Sequence, residues 1–275
     1  MRKRVLFGLL ASAFLVTLSC GSGAITHYNR GVDLYHQGKF EEATAEYRKA
    51  IELDPDYSMA YSGLGNSLDG QGKTEEAIKA YRKAIELKPD NADAYTNLGN
   101  ALYDQGNYEE AIAALRKAIG LKPDYSYAYA YLGFVFYDQG KYQEAITACR
   151  KAIELKPDYT GAYNILGKAL GKQGKTEEAI AAFRKAIEIN PDYPGAYSNL
   201  GIALEKQGKT EEAIAAYRKA IELGPDLAQT LENRGILLDK KSERKAAREY
   251  WERAEKLEKR PEWIERIKKR LAEPD

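Results

Sequence analysis

Residues 92–125 read ADAYTNLGNALYDQGNYEEAIAALRKAIGLKPDY, and this stretch decides the fold. Tyr95, Leu98 and Leu102 fall at i, i+3 and i+7, one stripe of a helix. Gly99 sits beside that stripe, and Ala111, Leu115 and Ala118 mark a second helix. Small residues at 99 and 111 let the two helices approach closely, so packing offsets a glycine cost of about 1 kcal/mol. Gly106 stands where a residue of positive φ commonly ends a helix. Pro123 cannot continue the second helix and closes the unit.

The same marks recur every 34 residues on both sides of this stretch. Glycine holds positions 31, 65, 99, 133, 167, 201 and 235, and alanine holds 43, 77, 111, 145, 179, 213 and 247. Alanine also recurs from Ala50 to Ala254, and proline from Pro55 to Pro225, at the same spacing. Where Thr74-Glu75-Glu76 opens a second helix, the threonine is expected to cap it, and the acids suit the positive end of the helix dipole. One helix pair cannot bury its apolar face alone, so such units stack.

This aromatic, Leu-Gly, Ala, aromatic, Ala, Pro pattern resembles the tetratricopeptide repeat. The resemblance covers residues 24–261, seven units of 34, and implies an all-α, right-handed α-solenoid of helix-turn-helix units. The two end units depart from the pattern. Arg30 and Arg234 stand in the leucine position, His27 in the first aromatic position, and Ser242 in place of the inter-helix glycine. After Pro261, the residues Trp263, Ile264, Ile267 and Leu271 share one side of a last helix, with Lys268, Lys269 and Arg270 mostly outside. Residues 262–275 therefore read as a capping segment, helical over 262–273.

The chain begins differently. Arg2, Lys3 and Arg4 precede an uncharged apolar run from Val5 to Leu18, too short to span a bilayer comfortably. Residues 1–19 read as a secretory signal. The run ends at Thr17-Leu18-Ser19-Cys20-Gly21, which resembles the lipobox of bacterial lipoproteins, although Thr17 stands where that family usually has leucine. The resemblance implies a lipidated Cys20 followed by a short tether, so that 20–23 joins the anchor to the folded part; the rival reading is an ordinary cleaved signal with Cys20 incidental. Gly21 lacks the aspartate that retains some lipoproteins at the inner membrane, which favours the outer membrane, facing the periplasm.

Composition narrows the function. The 275 residues hold 42 Lys plus Arg against 41 Asp plus Glu. Removing 1–19 takes away three basic residues and no acid, leaving 39 against 41. Such a balance gives no basic surplus for binding nucleic acid. Two cysteines exclude a disulfide framework, and two histidines leave little room for a metal centre. No cofactor and no metal is expected. Gly-Lys-Thr occurs at 72–74, 174–176 and 208–210, but a phosphate loop needs glycine where Ser67, Ala169 and Ala203 stand. His27 and His36 have no recurring acid or cysteine partner. Cys149 fills a position held elsewhere by Tyr81, Leu115, Phe183 and Tyr217, so it reads as a small buried hydrophobe. About 14 residues follow the last unit, too few for a catalytic domain, and the chain is expected not to be an enzyme.

In the repeat family that the pattern resembles, first helices line the concave face, and unit positions 2, 5, 6, 9, 12 and 13 contact peptides. Of 21 tyrosines, fourteen occupy framework positions. Of the other seven, all but Tyr250 lie on first helices: Tyr28, Tyr35, Tyr103, Tyr127, Tyr131 and Tyr137. The fourth unit is densest. Tyr127, Tyr131 and Phe134 form one ridge at i, i+4 and i+7, with Tyr137 beyond it and Tyr103 one unit earlier. These aromatics are candidate anchors for a partner. Asn66, Asn97 and Asn100 are candidates for hydrogen bonds to its backbone. The competing reading is that the position-12 tyrosines (Tyr35, Tyr103, Tyr137) pack between neighbouring first helices.

Position 5 holds no lysine, so the clamp that related repeats use for acidic chaperone tails is not carried over. At position 13 the charge runs from Asp104 and Asp138 to Lys172, Lys206 and Lys240. The expectation is a non-catalytic protein- or peptide-binding scaffold in a bacterial envelope. Lipoproteins of similar architecture include pilotins for secretin channels and adaptors for cell-wall hydrolases; a glycan binder using tyrosine platforms is a further alternative. The oligomeric state and the partner's identity are not legible.

Overall fold

The computed structural model describes residues 23–224 and 227–272. The signal segment 1–19, Cys20 and its tether through residue 22, Pro225 and residues 273–275 lie outside the described residues. What is described is all helix and turn. The helices are α1 (23–36), α2 (Phe40–Leu53), α3 (Ser58–Gly70), α4 (Thr74–Leu87), α5 (Ala92–Asp104), α6 (Tyr108–Leu121) and α7 (Ser126–Asp138). They continue as α8 (Tyr142–Leu155), α9 (Thr160–Lys172), α10 (Thr176–Ile189), α11 (Pro194–Lys206), α12 (Thr210–Leu223), α13 (Ala228–Lys240), α14 (Arg244–Leu257) and α15 (Pro261–Ala272). The fold class is the all-α repeat solenoid. The chain forms two compact units, one up to Tyr131 and one from Leu132. No helix among the described residues is long and apolar enough to cross a membrane.

Within a repeat, the first helix packs against the second helix that follows it, as α3 does on α4 and α11 on α12. The contact is set by one pairing. A Cβ added to Gly65 would stand 2.4 Å from the Tyr81 ring, and one on Gly167 would stand 2.6 Å from the Phe183 ring. The same holds for Gly99 with Leu115, Gly133 with Cys149, and Gly235 with Trp251. Only glycine permits this approach. Stacking between repeats reuses the same ring: Tyr47 lies against Gly31 of its own repeat and Gly63 of the next.

The hairpin turns are glycine-capped. Gly72 has φ 74°, its N–H donates to the Asp69 carbonyl at 2.8 Å, and the Lys73 N–H donates to the Leu68 carbonyl at 2.9 Å. This is the Schellman arrangement, which needs a left-handed residue. Gly38, Gly106, Gly140, Gly174 and Gly208 do the same, and Ser242 adopts φ 62° in their place.

The expected threonine cap does not form. Lys73 occupies the N-cap position with no side-chain bond, and Thr74 is already inside the helix. The Schellman bond fixes Lys73 and starts α4 at once, so no turn residue is left over to cap. Glu75 and Glu76 do lie in the first turn, where the dipole favours them.

Successive second helices are tied to one another by Arg82–Glu110 (2.7 Å), Arg150–Glu178 (3.2 Å) and Arg184–Glu212 (3.2 Å). All are exposed, and each contributes about 1 kcal/mol or less. At the C-terminal end, α15 packs on α14, with Ile267 fully buried. Arg266 donates to Glu232 of α13 through two of its three guanidinium nitrogens, Nε at 2.8 Å and Nη2 at 2.5 Å. Arg270 is half-buried rather than outside, because its Nε lies 4.0 Å from Glu232 and its carbonyl accepts from Arg244. Arg234, in the leucine position, is buried and lies 4.4 Å from the Tyr250 ring; burial lowers its pKa.

Candidate partner-binding surface

The first helices carry the variable residues, and the structure separates those that pack from those that face outward. On α7, Tyr127 is 41% exposed, with its ring edge-on to Tyr125 at 5.9 Å. Tyr131 is half-buried. Its hydroxyl pKa is raised, first by burial and then by the nearby carboxylates Asp104 and Asp69. Burial also raises the pKa of both carboxyl groups. Phe134 is half-buried, with its ring near Gly161 at the start of α9.

The position-12 tyrosines find a partner that the sequence reading did not assign. Tyr35 packs on Phe40 (5.4 Å), Tyr103 on Tyr108 (6.0 Å) and Tyr137 on Tyr142 (5.7 Å). Each pair bridges a first helix to the start of its own second helix across the glycine turn. In the last repeat the same two positions hold an ion pair, Asp239–Arg244 at 2.7 Å. The signal was present: an aromatic follows five residues after tyrosine at position 12, and threonine follows Asp69, Gly171 and Glu205. These rings are thus partly committed to the hairpin.

The asparagines are partly committed too. Asn66 Oδ1 accepts from the Tyr81 hydroxyl and from Asn97 Nδ2, both at 2.9 Å. A matching link joins Asn199 Nδ2 to Asn164 Oδ1 at 2.9 Å. Asn100 is half-buried on α5. Such bonds lock neighbouring first helices in register and leave fewer amide groups for a ligand than the sequence suggested.

Two concavities lie on the first helices. In the first unit, one of about 260 Å³ is lined by Tyr28, Tyr35, Met59, Asn66 and Asn97, among others. In the second unit, one of about 400 Å³ is lined by Tyr137, Lys168, Lys172, Asn199, Ile202 and Lys206, among others. Its size falls in the range of small-ligand sites. Lys168 is half-buried, with its ammonium 4.3 Å from the Tyr137 ring centre. Burial lowers its pKa, and Asp138 acts against that. Sequence reasoning noted Lys172 and Lys206 but passed over Lys168, which sits four residues before Lys172 on the same face of α9.

Elsewhere the chemistry is bland. Cys149 is fully buried, and burial pushes its thiol up to about 12. His27 bonds Glu46 at 2.6 Å, while His36 lies beside Tyr35, so the two histidines do not converge. The Gly-Lys-Thr triplets sit in hairpin turns, and glutamates follow the threonine, a charge that repels phosphate.

Helix hairpins of this period, with a glycine under each second-helix ring, define a tetratricopeptide-repeat protein. Residues 16–235 match the family model described as the cilia and flagella-associated protein 70 C-terminal domain, and the chain belongs to that family. No curated protein sequence matches the chain. Among solved structures, the tetratricopeptide repeat protein from Parabacteroides merdae is similar over 92% of this chain and 100% of its own, with TM-score 0.71 and 19% identity. The APC/C hetero-tetramer Cut9–Hcn1 gives TM-score 0.79 and 18% identity over 88% of this chain; the match spans 48% of that longer chain. YrrB, described as a TPR protein with an unusual peptide-binding site, is 28% identical over 67% of this chain and 95% of its own, with TM-score 0.53.

Proposed function

We propose that this chain is a non-catalytic scaffold that binds a protein or peptide on its first helices, exported and held by a lipid on Cys20 to a bacterial envelope membrane. One observation carries the binding reading: the first unit keeps Tyr127 exposed and Tyr131 half-exposed, and the second keeps Phe134 and Tyr137 half-exposed. Aromatics presented on a pre-ordered surface are the usual anchors of binding energy. The peptide-binding site ascribed to YrrB supports the same reading. The basic start, apolar run and Thr17-Leu18-Ser19-Cys20 support the export and lipid-anchor part.

The test is affinity capture from envelope extracts, using the mature chain and its Tyr131→Ala/Phe134→Ala variant as baits. The expected result is a partner, identified by mass spectrometry, that is lost from the variant while helicity and melting are kept. A secretin or a cell-wall hydrolase among the captured proteins would narrow the role to assembly or recruitment. Capture that the double variant leaves unchanged removes α7 as the site. Separately, Cys20→Ala is expected to leave the membrane fraction; retention there overturns the anchor.

A further inference from the structure

Several lysines of this chain have a glutamate partner. On second helices, Lys83 pairs with Glu86, Lys151 with Glu154 and Lys185 with Glu188, each at 2.6 to 2.7 Å. On the first helices of the second unit, Lys240 pairs with Glu205 at 3.2 Å. Lys172 and Lys206 make no ion pair among the described residues, and both are exposed at the rim of the 400 Å³ pocket. Lys168 lies deeper in that pocket, against the face of Tyr137. Three lysines therefore line one concavity, and no carboxylate is bonded to any of them among the described residues.

We propose that this pocket is a docking site for an acidic peptide segment, with Lys168, Lys172 and Lys206 receiving its carboxylates. The proposal rests on the peptide-binding reading above and adds the chemistry of the ligand. Charge complementarity selects the occupant: three positive groups line the pocket, and half-buried Lys168 gains most from a carboxylate that restores its lost hydrogen bonds. The other lining groups favour a peptide over a bare anion. Phe183, Ile202 and Ala203 give an apolar floor for side-chain stems, and Ser198, Asn199 and Gln229 place hydroxyl and amide groups beside it. The lysines stand at unit positions 9, 13 and 13. This differs from the position-5 clamp that the sequence lacks.

The probe is fluorescein-labelled hexaglutamate, titrated by anisotropy into the mature chain, with hexaglutamine as the neutral control. Saturable binding of hexaglutamate is expected, weakening as salt rises. Lys172→Glu/Lys206→Glu should weaken it by about tenfold or more, as loss of close charge pairs does. Lys175→Glu/Lys209→Glu, the same charge change in exposed hairpin turns, should have little effect. Circular dichroism and melting check that all variants fold. Equal binding of hexaglutamine, equal loss in the turn variant, or full competition by tripolyphosphate at the same charge concentration overturns the proposal. No binding of hexaglutamate also overturns it. In that event, a partner still captured through Tyr131 and Phe134 leaves the peptide-binding reading standing, whereas loss of both removes the two together.

Discussion

Gly201 lies directly beneath the ring of Tyr217: a Cβ at 201 would stand 2.4 Å from Cε1 and 2.6 Å from Cδ1. Tyr217 is fully buried, so its ring has nowhere to withdraw. Gly201→Ala should therefore destabilise the chain. Overpacking costs about 1–3 kcal/mol, against the roughly 1 kcal/mol that alanine returns as a better helix former. Thermal or urea melting reads the difference. A variant melting above the parent would show that the hairpin can open to admit a methyl group.

Ser242 makes the opposite prediction. It holds φ 62° where six other turns have glycine, and it keeps the same bonds: its N–H donates to Asp239 and that of Glu243 to Leu238. A left-handed serine costs about 1 kcal/mol more than glycine. Ser242→Gly should raise stability by roughly that amount, offset in part by the looser unfolded chain. Urea melts of the pair test it, and an unchanged or lower midpoint would count against strain at this turn.

Cys149 should be silent to thiol reagents. Its thiol is fully enclosed, against Gly133, and pushed up to about 12, so almost no thiolate exists at neutral pH. In the mature chain with Cys20→Ala, modification by a disulfide reagent at pH 8 should follow unfolding of the surrounding repeat. Reaction at the speed of a free thiol would mean that the fourth repeat is open.

Glu258, just past α14, accepts from the Arg260 side chain at 2.8 and 2.6 Å, and from the N–H groups of Lys259 and Arg260. These bonds, the Arg260 guanidinium foremost, lower its pKa from 4.5 to about 2. A depressed carboxylate stabilises the fold above its unfolded pKa and loses that contribution as pH falls through the folded value. The window here runs from about 4.5 down to about 2. A carbon-detected NMR titration should place the Glu258 midpoint near 2, and Arg260→Ala should move it up toward 4.5. A midpoint that stays put would assign the shift to the backbone N–H groups instead.

The repeat was legible because its marks are local and each obeys a steric rule. Gly99 and Leu115, or Gly235 and Trp251, meet because glycine alone fits under a buried side chain, and that requirement is written at a fixed spacing. The surface was less legible. That Tyr103 would lean on Tyr108, and Asn66 on both Tyr81 and Asn97, depends on which way half-exposed side chains turn. Periodicity fixes a residue's place on a helix but not its rotamer or its neighbour in the next repeat. Lys168 escaped notice because a lone lysine on a helix reads as solvated; its burial against Tyr137 needs the third dimension.

The pairing of Gly65 with Tyr81, or of Gly201 with Tyr217, is contained within 34 consecutive residues. A gene segment of that length carries both halves of the contact. Duplicating or excising one segment in frame would leave no severed half behind, and the flanking modules would meet surfaces of the kind they already had. Lengthening or shortening by recombination is thus a ready evolutionary path for this chain, and the binding face can diversify copy by copy while the joints stay fixed.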